Sequence, residues 1–267
     1  MHTLVKGGVR KALRTAAGNT LIEIKADQDQ ITIQQLAGVQ ANDKEVGGFV
    51  QEWFDLDRDL RPFYDLLKKD KDLAPLATLY KGFKIVGIPN LYECMLWCIA
   101  GQQINLNFAY TLKRRLVEEY GDTIYYQNKA HFLFPEPAVL VSVPVESFRK
   151  MQFTTRKAEY IKGISEAFCT GAISKELLVS HSTESAQLQH LLAFRGIGEW
   201  SANYVLMKSV RAMNRIPVGD AGLNQALKKF KGIERNNNSE VIKTFEPFTG
   251  WKTYLVFYLW RNLRNMA

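Results

Sequence analysis

From Pro89 onward the sequence carries apolar residues at helical spacing, and this constrains the fold more than any other feature. Asn90-Leu91-Tyr92-Glu93 has the form of a capping box, a side-chain acceptor at the N-cap with Glu three residues on. The helix it opens is expected to run to about Ala100, where Gly101-Gln102-Gln103 interrupts it. A second helix is expected from about Asn105 to Tyr120, with Phe108, Leu112 and Leu116 as its apolar stripe and Gly121 as a left-handed C-cap. Pro135, Pro137 and Pro144 restrict the next stretch to short helices, and Thr154 or Thr155 is placed to cap a helix through Ala167. Residues 87–267 therefore read as all-helical.

Upstream the period changes. Leu21-Ile22-Glu23-Ile24 and Ile31-Thr32-Ile33 are β-rich runs around a polar turn, Asp27-Gln28-Asp29, so residues 20–40 read as a β-hairpin. Val46, Phe49, Val50, Trp53 and Phe54 then form one helical stripe, and Leu56, Leu60, Phe63, Tyr64 and Leu67 repeat it beyond a bend. Strands with helices on one face make an α+β domain, here residues 1–86 with an antiparallel sheet. The fold class expected is mostly α with an N-terminal α+β domain.

Charge is uneven. Of the net +8, residues 1–90 hold 13 Lys+Arg against 12 Asp+Glu, which leaves 22 against 15 for residues 91–267. A basic C-terminal two-thirds suits a polyanion, though a basic soluble protein would show the same excess. No apolar run approaches the roughly 20 residues that span a bilayer, so no membrane association is expected. Met1–Arg14 is basic without the apolar stretch of a signal peptide, which points to the cytoplasm or, in a eukaryote, the nucleus, with a short transit peptide left open. Cys94, Cys98 and Cys169 neither pair as a disulfide framework nor find further Cys or suitable His for a metal, so buried thiols are expected, with no cofactor. Nothing signals an oligomer, and a monomer is expected.

Leu188, Leu191 and Leu192 form a helical stripe that ends near Phe194, and a new helix is expected from Glu199 to Met213. Between them Gly196 and Gly198 flank Ile197. Glycine turns the chain at positive φ and leaves amides unobstructed by a Cβ, so the second helix's N-terminus can hold an anion. Ile197 would plug the angle between the helices. This is a helix-hairpin-helix, a sequence-independent grip on a DNA phosphate. A lone Gly-Ile-Gly also fits an ordinary αα-turn.

A carboxylate follows at a fixed distance. Asp220 is the only aspartate between Thr123 and Ala267, after Ile216-Pro217-Val218-Gly219 and before a helix with Leu223, Ala226, Leu227 and Phe230 on its buried side. Asp220 fits an N-cap. A capping carboxylate is also rigidly aimed, which suits a group that faces developing positive charge.

With these residues the chain resembles the helix-hairpin-helix DNA glycosylases, and within them the bacterial inducible 3-methyladenine (alkylpurine) type. The likeness rests on Phe194–Tyr204, Gly101-Gln102-Gln103-Ile104, Met151–Gly163, Trp251-Lys252-Thr253-Tyr254 and Trp260. It covers most of residues 43–264 and extends only loosely to the N-terminal strands.

The resemblance implies base flipping and hydrolysis of the N-glycosidic bond of alkylated purines in double-stranded DNA, with Asp220 stabilising an oxocarbenium-like sugar. It implies an aromatic base pocket of Trp200, Tyr204 and Trp260, which at helical spacing also read as core. DNA contacts would come from Gly196, Ile197, Gly198, Ser201 and Gln102, and a wedge from Gln103 or Ile104, a segment that also reads as a polar turn. Ala221 and Gly222 are small where some relatives are bulky, which is expected to open the pocket. Strand-cleaving relatives use a lysine two residues after the second hairpin glycine; here that position is Trp200, which implies a monofunctional enzyme that uses water. Two alternatives stand beside this reading: a same-fold glycosylase for oxidised or deaminated bases, and a non-catalytic helix-hairpin-helix DNA-binding protein.

Overall fold

The computed structural model describes residues 2–27, 30–235 and 237–264. The chain gathers into two compact units, residues 1–51 with 96–173, and residues 52–95 with 174–267. Both units draw on residues from either side of the expected division at 86/87.

The first unit holds a four-stranded antiparallel sheet in the order β1 (His2–Val5), β2 (Gly8–Thr15), β3 (Gly18–Asp27), β4 (Gln30–Gly38). The expected hairpin is β3–β4, with Ile24 opposite Ile33. Of its expected turn, Gln28 and Asp29 lie outside the described residues. The first two strands were not legible: their turn is Lys6-Gly7, with Gly7 at φ 73°, a pair that lacks the Asn-Gly or Asp-Gly signature.

A second pair, β5 (Thr123–Tyr126) and β6 (Lys129–Phe132), corrects the all-helical expectation for residues 87–267. Gln127 and Asn128 both take positive φ, 49° and 58°, as a two-residue hairpin turn requires. Ala12, Leu21, Ile124 and Leu133 join the two sheets in one buried cluster. Gly121 is a correction of a different kind. It follows the helix Leu106–Tyr120 at φ −87°, extended and not left-handed. A Cβ there would lie 2.2 Å from the Leu133 carbonyl oxygen, so glycine serves close backbone approach.

The remaining helices of this unit are Pro137–Ser142, Val145–Lys150 and Thr155–Cys169. Thr154 caps the last of them by accepting the Lys157 N–H at 3.2 Å. The Lys157 ammonium reaches the Ala100 carbonyl at 2.8 Å, at the end of the helix Leu91–Gly101. Cys94 and Cys98 are buried as expected, but Cys169, on the last turn of its helix, is exposed.

The second unit is helical among the described residues. Phe63, Leu67, Leu223, Leu227, Phe245, Tyr254, Tyr258 and Leu259 form its core. The Phe63 ring lies 5.7 Å from Trp251, stacked, and 4.9 Å from Tyr258, edge-on. A buried polar knot adjoins this core. Asp55 accepts from Tyr254 Oη at 2.5 Å and from Arg58 Nε at 2.7 Å, and pairs with Arg211. Removing one member of such a knot costs several kcal/mol, because a buried charge is left uncompensated, about 3–5 kcal/mol as a rule.

Candidate active site

The hairpin forms as expected at its centre. The helix Glu184–Leu192 is capped by Thr183, which accepts the Ala186 N–H at 3.1 Å. The chain then turns through Gly196 at φ 94°, a conformation that needs glycine. Ile197 is buried, and its N–H donates to the Phe194 carbonyl at 3.0 Å. Gly198 is the N-cap of Glu199–Val205 and offers no side chain to the opening amides. A Cβ built on Gly198 would meet nothing within 4 Å, so the approach to those amides is open. Helix-opening N–H groups lack intrahelical acceptors and carry the positive end of the dipole. Ser201, on the first turn of this helix, is buried like Ile197.

The second helix ends earlier than Met213. The α-helix stops at Val205, a π-helical turn spans Leu206–Val210, and Arg211 closes it in the left-handed region at φ 62°. Arg211 is held there by its ion pairs with Asp55 and Asp57. Trp200 and Tyr204 lie on the α-helical part, and their rings stack at 5.2 Å and 20°.

Residues 212–219 return the chain to Asp220. Thr253 anchors the start of this loop, its hydroxyl donating to the Ala212 carbonyl at 2.7 Å and its N–H to the Met213 carbonyl at 3.0 Å. Gly219, at φ 85°, makes the last turn. Asp220 is then the N-cap of Ala221–Lys231, and its Oδ1 accepts the Leu223 N–H at 2.7 Å.

The carboxylate also does more than cap. Trp260 Nε1 donates to Oδ1 at 2.9 Å, and Trp200 Nε1 donates to Oδ2 at 2.8 Å. Three neutral N–H groups thus fix the carboxylate without cancelling its charge. Trp260 comes from the helix Lys252–Arg264, so residues 200, 220 and 260 meet from three separate elements. The Tyr204 ring lies 6.5 Å from Trp260 and completes an aromatic wall.

Gly222 lies beside both Asp220 and Trp260. A Cβ there would lie 3.3 Å from Asp220 Oδ1 and 3.4 Å from Trp260 Cδ1. The missing side chain leaves the bond between the indole and the carboxylate uncrowded.

Two neighbours escaped the sequence reading. Phe257 meets Trp260 edge-on at 5.1 Å, and the Lys208 ammonium sits 4.9 Å over the Phe257 ring. Burial pushes the Lys208 ammonium down to about 8. Each lies one helical turn from a residue that was singled out, Phe257 before Trp260 and Lys208 after Tyr204, and that spacing was the available signal.

The expected wedge lies in the first unit. Gln103 is exposed at φ 56°, between the helix Leu91–Gly101 and Asn105, while Gln102 and Ile104 are half-buried. The structure therefore brings Trp200, Tyr204, Asp220 and Trp260 together on the hairpin unit, and leaves Gln102, Gln103 and Ile104 on the other.

Comparison with known proteins assigns this geometry. Residues 96–249 match the HhH-GPD superfamily base excision DNA repair protein family. The chain belongs to that superfamily. It is a base-excision-repair DNA glycosylase. Residues 8–95 match the 8-oxoguanine DNA glycosylase N-terminal domain, so the N-terminal strands are part of the family architecture. A DNA-3-methyladenine glycosylase of Bacillus subtilis is 38% identical over 221 residues, 82% of this chain and 73% of that protein. The 3-methyladenine DNA glycosylase of Archaeoglobus fulgidus has the same fold, with a TM-score of 0.85 at 21% identity over 100% of this chain and 90% of its own. So does a Clostridium acetobutylicum 8-oxoguanine glycosylase/lyase in complex with double-stranded DNA, with a TM-score of 0.78 at 18% identity over 99% and 98%.

Proposed function

We propose that this glycosylase hydrolyses the N-glycosidic bond of alkylated purines in duplex DNA, 3-methyladenine and 7-methylguanine among them, as a monofunctional enzyme. The observation that carries the reading is the carboxylate of Asp220, held by the indole N–H groups of Trp200 and Trp260 beside the Trp200–Tyr204 stack. Electron-rich rings attract a cationic base, and a base alkylated at N3 or N7 is cationic before the bond breaks. Such a base leaves without a general acid.

As the C1′–N bond lengthens, its electron pair goes to the base and the sugar becomes an oxocarbenium ion. Asp220 stabilises that charge. Its Oδ1 already accepts two N–H groups, Leu223 and Trp260, which occupy both lone pairs. Among the described residues Oδ2 accepts only the Trp200 indole, which leaves one direction for the attacking water, whose proton it can receive. The hairpin amides after Gly198 would hold a backbone phosphate, and Gln103 or Ile104 would fill the gap left by the flipped nucleotide.

The test is base release from methylated duplex DNA. The wild type is expected to free 3-methyladenine or 7-methylguanine and to leave an uncut abasic site. Asp220→Asn is expected to lose release while it retains DNA binding. With Trp200 in the lysine position of the strand-cleaving relatives, no borohydride-trapped adduct is expected. An adduct would overturn the monofunctional assignment.

A second reading has its own support. The 8-oxoguanine-type N-terminal domain over residues 8–95 favours an oxidised purine. Release of 8-oxoguanine, with methylated DNA left intact, would establish that substrate instead.

A further inference from the structure

The loop that delivers Asp220 is fastened at several points, and two of them join it to the hairpin, one to its first helix and one to its second. Asn214 accepts the Gly250 N–H at 2.5 Å, and its own N–H donates to Glu184 Oε1 at 3.4 Å. Thr253 holds the carbonyls of Ala212 and Met213. Arg215 alone of these reaches the second hairpin helix: its Nε donates to Asn203 Oδ1 at 2.8 Å. Asn203 is 2% exposed and is itself fixed, because its Nδ2 donates to the Glu199 carbonyl at 3.0 Å. Glu199 opens the helix whose first amides follow Gly198. A continuous chain of bonds therefore runs from the hairpin's first turn through Asn203 and Arg215 into the loop that ends at Asp220.

The chemistry of the link is suited to fixing a distance. A guanidinium Nε–H bond to an amide oxygen is charge-assisted and directional, and the planar fork loses little freedom on forming it. The guanidinium is half-buried, which lowers its proton affinity, while the carboxylates of Glu184 and Glu199 act in the opposite sense. Four residues separate Arg215 from Asp220, and the hairpin helix ties this span at both ends, through Asn203 on Arg215 and through the Trp200 indole on Asp220 Oδ2.

We propose that Arg215 is a positioning residue: through Asn203 it holds the Asp220 loop at a set distance from the hairpin turn, so that a phosphate gripped by the hairpin places the sugar against the carboxylate. The inference rests on the function proposed above. A misplacement of about 1 Å at a reacting centre can cost on the order of a hundredfold in rate, so a partly slackened loop is expected to cost about tenfold.

The experiment uses the full chain with Arg215→Met and Arg215→Lys. Single-turnover base release by Arg215→Met is expected to fall about tenfold, with Arg215→Lys in between and with affinity for an abasic-analogue duplex within about twofold. In an Asp220→Asn background Arg215→Met is expected to add no further loss, because it acts through Asp220. Hydrogen exchange gives a readout that needs no base release. Binding of the duplex is expected to protect the amides of both 199–203 and 216–223 in the wild type, and only those of 199–203 in Arg215→Met. Equal protection of 216–223 in both proteins would overturn the proposal. So would a smaller salt dependence of DNA binding in Arg215→Met, by about one in the log–log slope, which would mark Arg215 as a phosphate contact. A wild type that frees no base from methylated or oxidised DNA, yet shows the exchange coupling, would instead sink the functional reading and leave the link standing.

Discussion

Two helix N-caps, one in each unit, show what separates a structural group from a chemical one. Thr154 caps Thr155–Cys169 and Asp220 caps Ala221–Lys231, each by accepting the N–H three residues on, Lys157 at 3.2 Å and Leu223 at 2.7 Å. At that level they do the same work. Thr154 is a neutral hydroxyl whose acceptor role ends with the cap. Asp220 brings a charge and accepts two indole N–H groups besides, from residues 20 positions before it and 40 positions after it. A cap needs one acceptor. The convergence of two tryptophans on a carboxylate exceeds what a helix terminus requires, and it is this excess that marks the site.

The comparison can be broken at either end. Asp220→Ala removes both cap and charge. Base release is expected to fall by about a thousandfold, the scale of losing a preorganised electrostatic contact, and stability by about 1 kcal/mol, the value of a cap. Burst release and chemical denaturation measure the two separately. Trp260→Phe keeps an aromatic ring and deletes the donor to Oδ1. Its rate is expected to fall roughly tenfold or more with DNA affinity unchanged. Gly222→Ala presses a methyl group against Asp220 Oδ1 and the Trp260 indole, and a several-fold loss of rate is expected, with crystallography to show which of the two moves.

Thr154→Ala should cost about 1 kcal/mol of stability and leave the rate untouched. A rate change there would remove the contrast between the caps. The smallest effect concerns pH. His131 in the first unit is buried, and burial together with Arg10 and Lys129 lowers its proton affinity. A base with its folded pKa below the unfolded value favours the unfolded state on protonation. Stability is therefore fully present above about pH 6.5 and declines as pH falls below it. His131→Phe should flatten that slope in denaturation midpoints taken between pH 7 and pH 5.

Legibility followed how local each signal was. The caps at Asn90, Thr154 and Asp220 were readable because capping involves residues three apart, and so was the Gly196-Ile197-Gly198 turn. The stack of Trp200 on Tyr204 was readable from a spacing of four. Strands β1 and β2 and the pair β5–β6 were not, since their turns, Lys6-Gly7 and Gln127-Asn128, lack the strongest hairpin signatures although the pairing itself is local. Gly121 misled because a glycine after a helix is usually conformational, whereas here it admits the Leu133 carbonyl. The role of Gly222 was likewise set by Trp260, 38 residues away, and no pattern near Gly222 carries it.

The central claim is that the charge of Asp220, beyond its cap, performs the chemistry. Asp220→Asn and Asp220→Ser separate the two, because both side chains cap a helix and neither carries charge. The measurement is single-turnover release of 3-methyladenine or 7-methylguanine from methylated duplex DNA, beside affinity for the same DNA. Both variants are expected to fold with near wild-type stability and bind the duplex, and to release base at about a thousandth of the wild-type rate or less. Release by Asp220→Ser at the wild-type rate would show that Asp220 is a cap and nothing more.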